Sequence, residues 1–348
     1  MTTTETYEAT TLRLPADVLA SPTDHRVLTG DRPTGRLHVG HYFGSLQNRV
    51  RLQNQGVDVF VLVADYQVIT DRDITAGIDE VVTDVVLDYL ATGLDPDRST
   101  VFAHSAVPAL NQLMLPFLSL VSTGELSRNP TVKEEIQAGG RETVSGLMLT
   151  YPVHQAADIL FCHADLVPVG DDQLPHLELT RDIARRFNDR YAPIFTAPEA
   201  LLSHAPRLKG LDGRGKMGKS RGNSIPLSAT ADETTALIRS AVTDSQRRIT
   251  YDPPNRPEVS NLVLLAALCR GEAPEAVAES IGDGGASALK RLTTEAVNDF
   301  FAPMRRRRRE FETDRGIVTR ILERGNARAN EIADATLAEV RIAMGTRY

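Results

Sequence analysis

Apolar residues run almost without interruption from Val57 to Thr70 (VDVFVLVADYQVIT), and such a run predicts a strand covered on both faces. Its end, Asp65-Tyr66-Gln67, should then face the crevice at the C-terminal rim of a parallel sheet. Over residues 78–92 the period changes: Ile78, Val81, Val82, Val85, Val86, Tyr89 and Leu90 share one helical face, and Gly93 stops the helix. Ser99 to Val107 (STVFAHSAV) reads as the next strand, so strands and helices alternate as in an α/β protein with a doubly wound parallel sheet. From Pro108 to about Tyr151 the pattern is helical and less regular, which marks an insertion between sheet units.

The segment Thr150 to Leu160 (TYPVHQAADIL) predicts a helix N-terminus with Thr150 as N-cap and Pro152 in the first turn, leaving Gln155 and Asp158 on one face. A short apolar run, Leu166 to Gly170, predicts another strand. An acidic turn follows, and then a helix with a stripe of Leu177, Leu179, Ile183, Ala184 and Phe187. No long periodic element is expected between about 192 and 225. From Thr230 the chain reads as all-helical, interrupted by Pro253, Pro254 and Pro257. Residues 1–24, Thr-rich and without apolar periodicity, predict a loose extension.

Bulk composition narrows the classes. With 348 residues, 41% hydrophobic and 24% charged, the chain is long enough for about two soluble domains. The first residues lack a basic start and an apolar core, and no apolar run approaches the roughly 20 residues that span a bilayer, so no membrane role and cytoplasmic residence are expected. Only Cys162 and Cys269 are present, outside any CxxC spacing, which supports neither a disulfide framework nor a zinc site; His163 beside Cys162 reads as structural. A net charge of −7 argues against indiscriminate nucleic-acid binding but permits a local basic face.

Two stretches carry candidate chemistry. Thr29 to Gln47 (TGDRPTGRLHVGHYFGSLQ) reads as strand end, then a turn punctuated by Gly30, Pro33 and Gly35, then a helix opening at Gly40. Amides at such a helix start attract anions, and His38 and His41, three residues apart, can share one side of its first turn. Taken alone, an HxGH is more often a surface turn with two solvated histidines. The second stretch, HAPRLKGLDGRGKMGKSRGN, combines glycines with Lys209, Arg214, Lys216, Lys219 and Arg221, a cationic loop that can reach a phosphate or be solvated. No nucleophile elbow and no metal-ligand spacing is present. Together the two stretches suggest attack on a nucleotide phosphate, where lysines neutralise charge and imidazoles donate to phosphoryl oxygens.

TGDRPTGRLHVGHY resembles the HIGH signature of class I aminoacyl-tRNA synthetases, and KMGKS resembles their KMSKS loop. TYPVHQAADIL, VPVGDDQLPHLELTRDIARRFN and AVTDSQRRITYDPP are similar to the tryptophanyl-tRNA synthetase family, and the likeness runs from about Leu28 to the C-terminus in order and spacing. The resemblance implies a Rossmann-like catalytic domain over 25–225, with the insertion at about 108–150, and a helical anticodon-binding domain over 226–348. It further implies a homodimer formed through the catalytic domain, activation of L-tryptophan with ATP and Mg²⁺, and transfer of the tryptophanyl group to tRNA(Trp). For ATP it assigns Arg32, Pro33, Thr34, Gly40, His41, Gly170, Asp171, Asp172 and Leu208, together with Lys216, Met217, Gly218, Lys219 and Ser220. His38, His41, Lys133, Lys216 and Lys219 would act on the reacting phosphates. Asp158 would accept the indole N–H, Tyr151 and Gln173 would lie near the ammonium, and Val167 and Val169 would line the indole pocket.

Departures from the common pattern cluster where substrate is chosen: Gln155 stands for a usual Met, Gln67 for a usual His, and Gly218 for a usual Ser. Tyrosyl enzymes also carry Gln and Asp at the spacing of Gln155 and Asp158, so tyrosine is the nearest rival substrate. Against it, Leu28 lacks the hydroxyl with which those enzymes read a phenol. A paralogue that binds tryptophan without charging tRNA is a rival of another class. The five arginines Arg305 to Arg309 read either as a solvated helix face or as a tRNA contact.

Overall fold

A computed structural model describes residues 15–70, 77–139, 144–170, 173–202, 208–218 and 221–348. Five parallel strands form its sheet in the order β3-β2-β1-β4-β5: β1 (Arg26–Asp31), β2 (Asp58–Val63), β3 (Ser99–Ala103), β4 (Leu166–Val169) and β5 (Glu199–Leu202). The continuous apolar run of β2 has a simple cause. Val59, Val61 and Val63 enter a core on one face while Phe60 and Leu62 enter a second core on the other, so every position after Asp58 is buried.

The helices divide between these faces. Helices α1 (Ala16–Ala20), α2 (Val39–His41), α3 (Gln47–Gln55) and α4 (Ile78–Thr92) cover the first face. The second is covered by α5 (Ala109–Leu118), α8 (Gly146–Leu160) and α9 (Leu174–Arg190), with α6 (Thr123–Arg128) and α7 (Pro130–Gly139) standing between α5 and α8 in the chain. After β5 the chain is helical, with α10 (Ala231–Ser240), α11 (Pro257–Arg270), α12 (Pro274–Ile281), α13 (Gly285–Glu312) and α14 (Ile317–Ala343). Thr230 caps α10 in a capping box with Glu233, which fixes where this helical part begins. Among the described residues no helix is long and apolar enough to cross a membrane.

The final helix does not stay with its predecessors. Helix α14 returns to β3, the edge strand, where Asn326 Oδ1 accepts from Ala103 N at 2.9 Å and Arg328 donates to Thr100 Oγ1 at 2.8 Å. An otherwise open strand edge is thereby closed.

Several local expectations are corrected. The run from Val57 is strand only to Val63; Tyr66–Thr70 form a 3-10 turn because Asp65 Oδ1 accepts from the backbone N–H groups of Tyr66 and Ser105 and folds the chain over the rim. β3 likewise ends at Ala103. Helix α8 begins at Gly146 with Ser145 as its cap, Ser145 Oγ accepting from Met148 N at 3.0 Å. Thr150 is therefore inside the helix, its Oγ1 donating to Gly146 O, and Pro152 is an interior proline. Gly30 belongs to β1 and not to a turn; a Cβ there would lie 2.4 Å from Leu62 O. The short strand β5 was not expected. Ala16–Ala20, expected to be loose, form a helix that buries Val18.

Candidate active site

Strand order reverses between β1 and β4, and the crevice beyond their C-terminal ends is where open parallel sheets bind ligands. The turn after β1 is held from below. Arg49 donates to Asp31 Oδ2 at 2.7 Å and to Gly30 O at 3.2 Å, and Tyr89 OH donates to the same Asp31 oxygen at 2.8 Å. Burial alone would lower the Arg49 pKa, but Asp31 outweighs it and the guanidinium stays charged; burial drives the Tyr89 hydroxyl well up. Arg32, Pro33 and Thr34 follow directly on this fixed base, Pro33 buried and the other two half-buried.

His38 and His41 cap each other. His38 Nδ1 accepts from Gly40 N and His41 Nδ1 accepts from His38 N, both at 3.2 Å, with ring centroids 3.8 Å apart. An imidazole accepting at Nδ1 carries its proton on Nε2, so both neutral rings are donors at the far nitrogen. The helix then widens into a π-turn over Tyr42–Leu46. There Tyr42 and Phe43 meet Phe300 and Phe301 of α13 with centroids 4.9–6.1 Å apart across the cluster.

The second motif lies against the first. Leu208 to Gly218 form a hairpin in which Gly210 N donates to Gly215 O and Met217 N to Leu208 O. Just beyond it, Val39 N donates to Ile225 O and Leu227 N to Leu37 O, and the buried Met217 sulfur sits 3.9 Å from where a Gly40 Cβ would be. HVGH is thus hydrogen-bonded to the segment that follows KMGKS, some 180 positions later in sequence, and Met217 of KMGKS lies beside its Gly40. Asn223 holds the hairpin's shape, accepting from Gly218 N and donating to Asp212 Oδ1, both at 3.0 Å. Leu208 is buried and Lys216 exposed; Lys219 and Ser220 lie outside the described residues.

Across the rim, Asp158 sits in a buried polar cluster. Gln67 Nε2 donates to its Oδ2 at 2.9 Å, and His104 Nδ1 lies 2.6 Å from its Oδ1. The His154 ring lies tilted against His104 with centroids 3.9 Å apart and donates from Nε2 to Asn111 Oδ1 at 3.1 Å. Burial disfavours an imidazolium at His104, but the Asp158 carboxylate outweighs it and raises the pKa; burial drives His154 down to about 4. The two adjoining imidazoles beside Asp158 are therefore shifted in opposite directions.

Leu28, Val167 and Val169 are buried on β1 and β4. Gln155 is partly exposed one turn before Asp158 on α8, and Tyr151 OH pairs with His176 Nε2 at 3.0 Å. Gln173 caps the start of α9 and its N–H closes the turn on Gly170 O at 2.9 Å, while Asp171 and Asp172 lie outside the described residues. Lys133 is exposed on α7, beside Val132, which packs on Tyr151 and Met148.

His104, His154, Arg49 and Asn223 were not singled out from sequence. For His154 a signal existed, since it lies four residues before Asp158 on one helix. The arginine run proves to be neither uniformly solvated nor uniformly available. Arg305 donates to Asn298 and Thr234, Arg307 to Ala91 O, and Arg308 to Asp84 and Asp88. Arg306 and Arg309 remain exposed.

A parallel switch-point crevice carrying these two motifs defines a nucleotide-activating enzyme of the class I synthetase type. The family model for class I tRNA synthetases of tryptophan and tyrosine matches residues 21–302, and the chain belongs to that family. Within it the likeness is to the tryptophan branch. The chain is 44% identical over 336 residues to the tryptophan–tRNA ligase of Streptococcus pyogenes serotype M1, spanning 92% of this chain and 98% of that one. It is 43% identical over 337 residues to the ligase of Streptococcus pneumoniae serotype 4, with the same coverage. The crystal structure of Campylobacter jejuni tryptophanyl-tRNA synthetase with ADP and tryptophan superposes with a TM-score of 0.79 at 29% identity, over 92% of this chain and 99% of that one.

Proposed function

We propose that this chain is a tryptophan–tRNA ligase. One observation supports the reading most: Met217 of KMGKS lies beside Gly40 of HVGH, the segment after KMGKS is hydrogen-bonded to HVGH, and Asp158 is a buried carboxylate of the same domain. In the first step a carboxylate oxygen of L-tryptophan attacks the α-phosphorus of ATP, the P–O bond to pyrophosphate breaks, and tryptophanyl-AMP forms. In the second, the terminal ribose hydroxyl of tRNA(Trp) attacks the acyl carbon and AMP leaves. Both steps need positioning and charge neutralisation more than acid–base chemistry. His38 and His41, with protons on Nε2, donate to the phosphoryl oxygens, and Lys133, Lys216 and Lys219 neutralise them; Mg²⁺ bound to ATP would add further positive charge. Arg32, Pro33, Thr34, Gly40, Gly170, Asp171, Asp172, Leu208, Met217, Gly218 and Ser220 enclose the nucleotide.

Asp158 accepts the indole N–H between Val167 and Val169, while Tyr151 and Gln173 hold the ammonium and Leu28, Gln67 and Gln155 bound the pocket. A buried carboxylate rejects side chains that bring no hydrogen-bond donor, because its free lone pair would go unpaired. The catalytic domain spans 25–225, and 226–348 recognise the anticodon. The protein works in the cytoplasm as a homodimer joined through the catalytic domain and its 108–150 insertion. Tryptophan-dependent ATP–pyrophosphate exchange followed by charging of tRNA(Trp) tests the reading. Exchange without charging would refute the ligase, and exchange driven by tyrosine alone would refute the substrate.

A further inference from the structure

Asn261 lies on α11, in the helical part of the chain, yet its side chain is spent on the KMGKS hairpin. Its Oδ1 accepts from Lys209 N at 2.8 Å and its Nδ2 donates to Lys209 O at 3.0 Å. Lys209 is bridged antiparallel to Lys216, and the hairpin's own hydrogen bonds run from Gly210 and Met217 on either side. In that arrangement the N–H and C=O of Lys209 point away from Lys216, as on any outer strand edge. The Asn261 amide fills both, standing in for one residue of a third strand.

Asn261 is also buried, so the contact is not a passing surface one. One turn earlier on α11, Glu258 covers the hairpin tip: a Cβ at Gly213 (φ 74°) would lie 3.0 Å from Glu258 Cγ. Two residues three apart on one helix face thus brace the loop at its base and its tip. On the other side the loop is tied to HVGH through Met217 and Ile225.

We infer that Asn261 is a positioning residue for amino-acid activation: through Lys209 it sets where Lys216 sits, and so couples the placement of the helical part to the grip on ATP. This rests on reading KMGKS as an ATP-binding loop. Asn261 touches no reacting atom, so its removal should alter ATP kinetics and leave the tryptophan pocket unchanged.

The test compares Asn261→Ala, Asn261→Asp, Lys216→Ala and the Asn261→Ala/Lys216→Ala double variant of the full chain. ATP–pyrophosphate exchange gives kcat and KM for ATP, and tryptophan fluorescence titration gives its Kd. Asn261→Ala should lower kcat/KM for ATP about 10-fold or more, with tryptophan Kd within about twofold. Asn261→Asp is isosteric, keeps the acceptor for Lys209 N–H and loses the donor, so it folds and shows a smaller loss of the same kind. In the double variant the Asn261→Ala effect should largely vanish, since both act through one loop position.

If Lys216→Ala lowers exchange while folded Asn261→Ala and Asn261→Asp do not, the inference is overturned and the ATP-loop reading stands. If Lys216→Ala itself leaves exchange unchanged, that reading fails. Should Asn261→Ala not fold, wild-type ATP kinetics in Asn261→Asp overturn the inference.

Discussion

His104 Nδ1 lies 2.6 Å from Asp158 Oδ1 with both side chains buried, while the ring of His154 lies against His104 with the opposite titration. The pH dependence of stability should carry both signatures. His104 has a folded-state pKa raised above 6.5, so its contribution is fully present below 6.5 and is lost as pH rises through the raised value. His154, held near 4 by burial, binds no proton in the fold where the unfolded chain does, so stability rises from about pH 4 to 6.5. Urea unfolding followed by circular dichroism across pH 4–9 should show that His104→Gln flattens the alkaline decline and His154→Leu flattens the acid rise. An unchanged alkaline slope in His104→Gln would remove the charged pair.

Asp158→Asn tests the substrate role of the same cluster. Gln67 donates to the carboxylate and His104 lies against its other oxygen, and an amide offers one oxygen while turning its NH₂ on one of these neighbours. Tryptophan binding should weaken by about 10–100-fold, with KM for ATP within about threefold. The chain contains no Trp, so substrate indole fluorescence reads binding directly. Unaltered tryptophan affinity would end the assignment.

Much of this architecture is legible without coordinates, for identifiable reasons. Burial on both faces makes β2 apolar from Val59 to Val63, and Thr230 with Glu233 spells a helix start. The two phosphate-seeking motifs are legible only as a pair, since an HxGH alone is more often a solvated turn and a cationic glycine-rich loop can simply be solvated. What stays hidden depends on tertiary approach. His104 follows a strand as any rim residue does, and only the fold brings it to Asp158. Pro152 misplaces the start of α8 because an interior proline mimics a first-turn one when Ser145, five residues before Thr150, is the true cap. In the arginine run the helical period was the available signal: Arg305 and Arg308, three apart, face inward together.

Those inward arginines predict a split within one run. Arg308 donates to Asp84 and to buried Asp88, each at 2.6 Å, and pairs with Glu312 at 2.9 Å. Arg308→Met strands Asp88 and should cost about 3–5 kcal/mol in urea unfolding. Burial already pushes the Asp88 carboxyl up to about 7, against the pull of Arg308, so the fold holds a proton that the unfolded chain releases and this group's contribution is lost as pH rises. The penalty of the variant should therefore be larger at pH 8 than at pH 6. Arg306→Ala and Arg309→Ala should change stability by less than about 0.5 kcal/mol. If they contact tRNA, the double variant should lower the salt slope of tRNA binding by about 1–2. An unchanged slope would leave them as a solvated face.

Gly325→Ala tests the return of α14 to the sheet. A Cβ at Gly325 would lie 1.8 Å from Val101 O and 2.6 Å from Val101 C, both backbone atoms, so the helix and not a side chain must move. Overpacking of this kind costs about 1–3 kcal/mol. The consequence should reach the site, because the next residue, Asn326, accepts from Ala103 N at 2.9 Å, and Ala103 leads directly into His104. Displacing α14 releases that N–H and loosens the histidine that fixes Asp158. KM for tryptophan should therefore rise more than KM for ATP in pyrophosphate exchange. Gly146→Ala is the control: nothing lies within 4 Å of its added Cβ at the first position of α8, so stability should be unchanged or slightly higher. Equal effects on the two KM values in Gly325→Ala would show that the sheet edge does not transmit to the indole pocket.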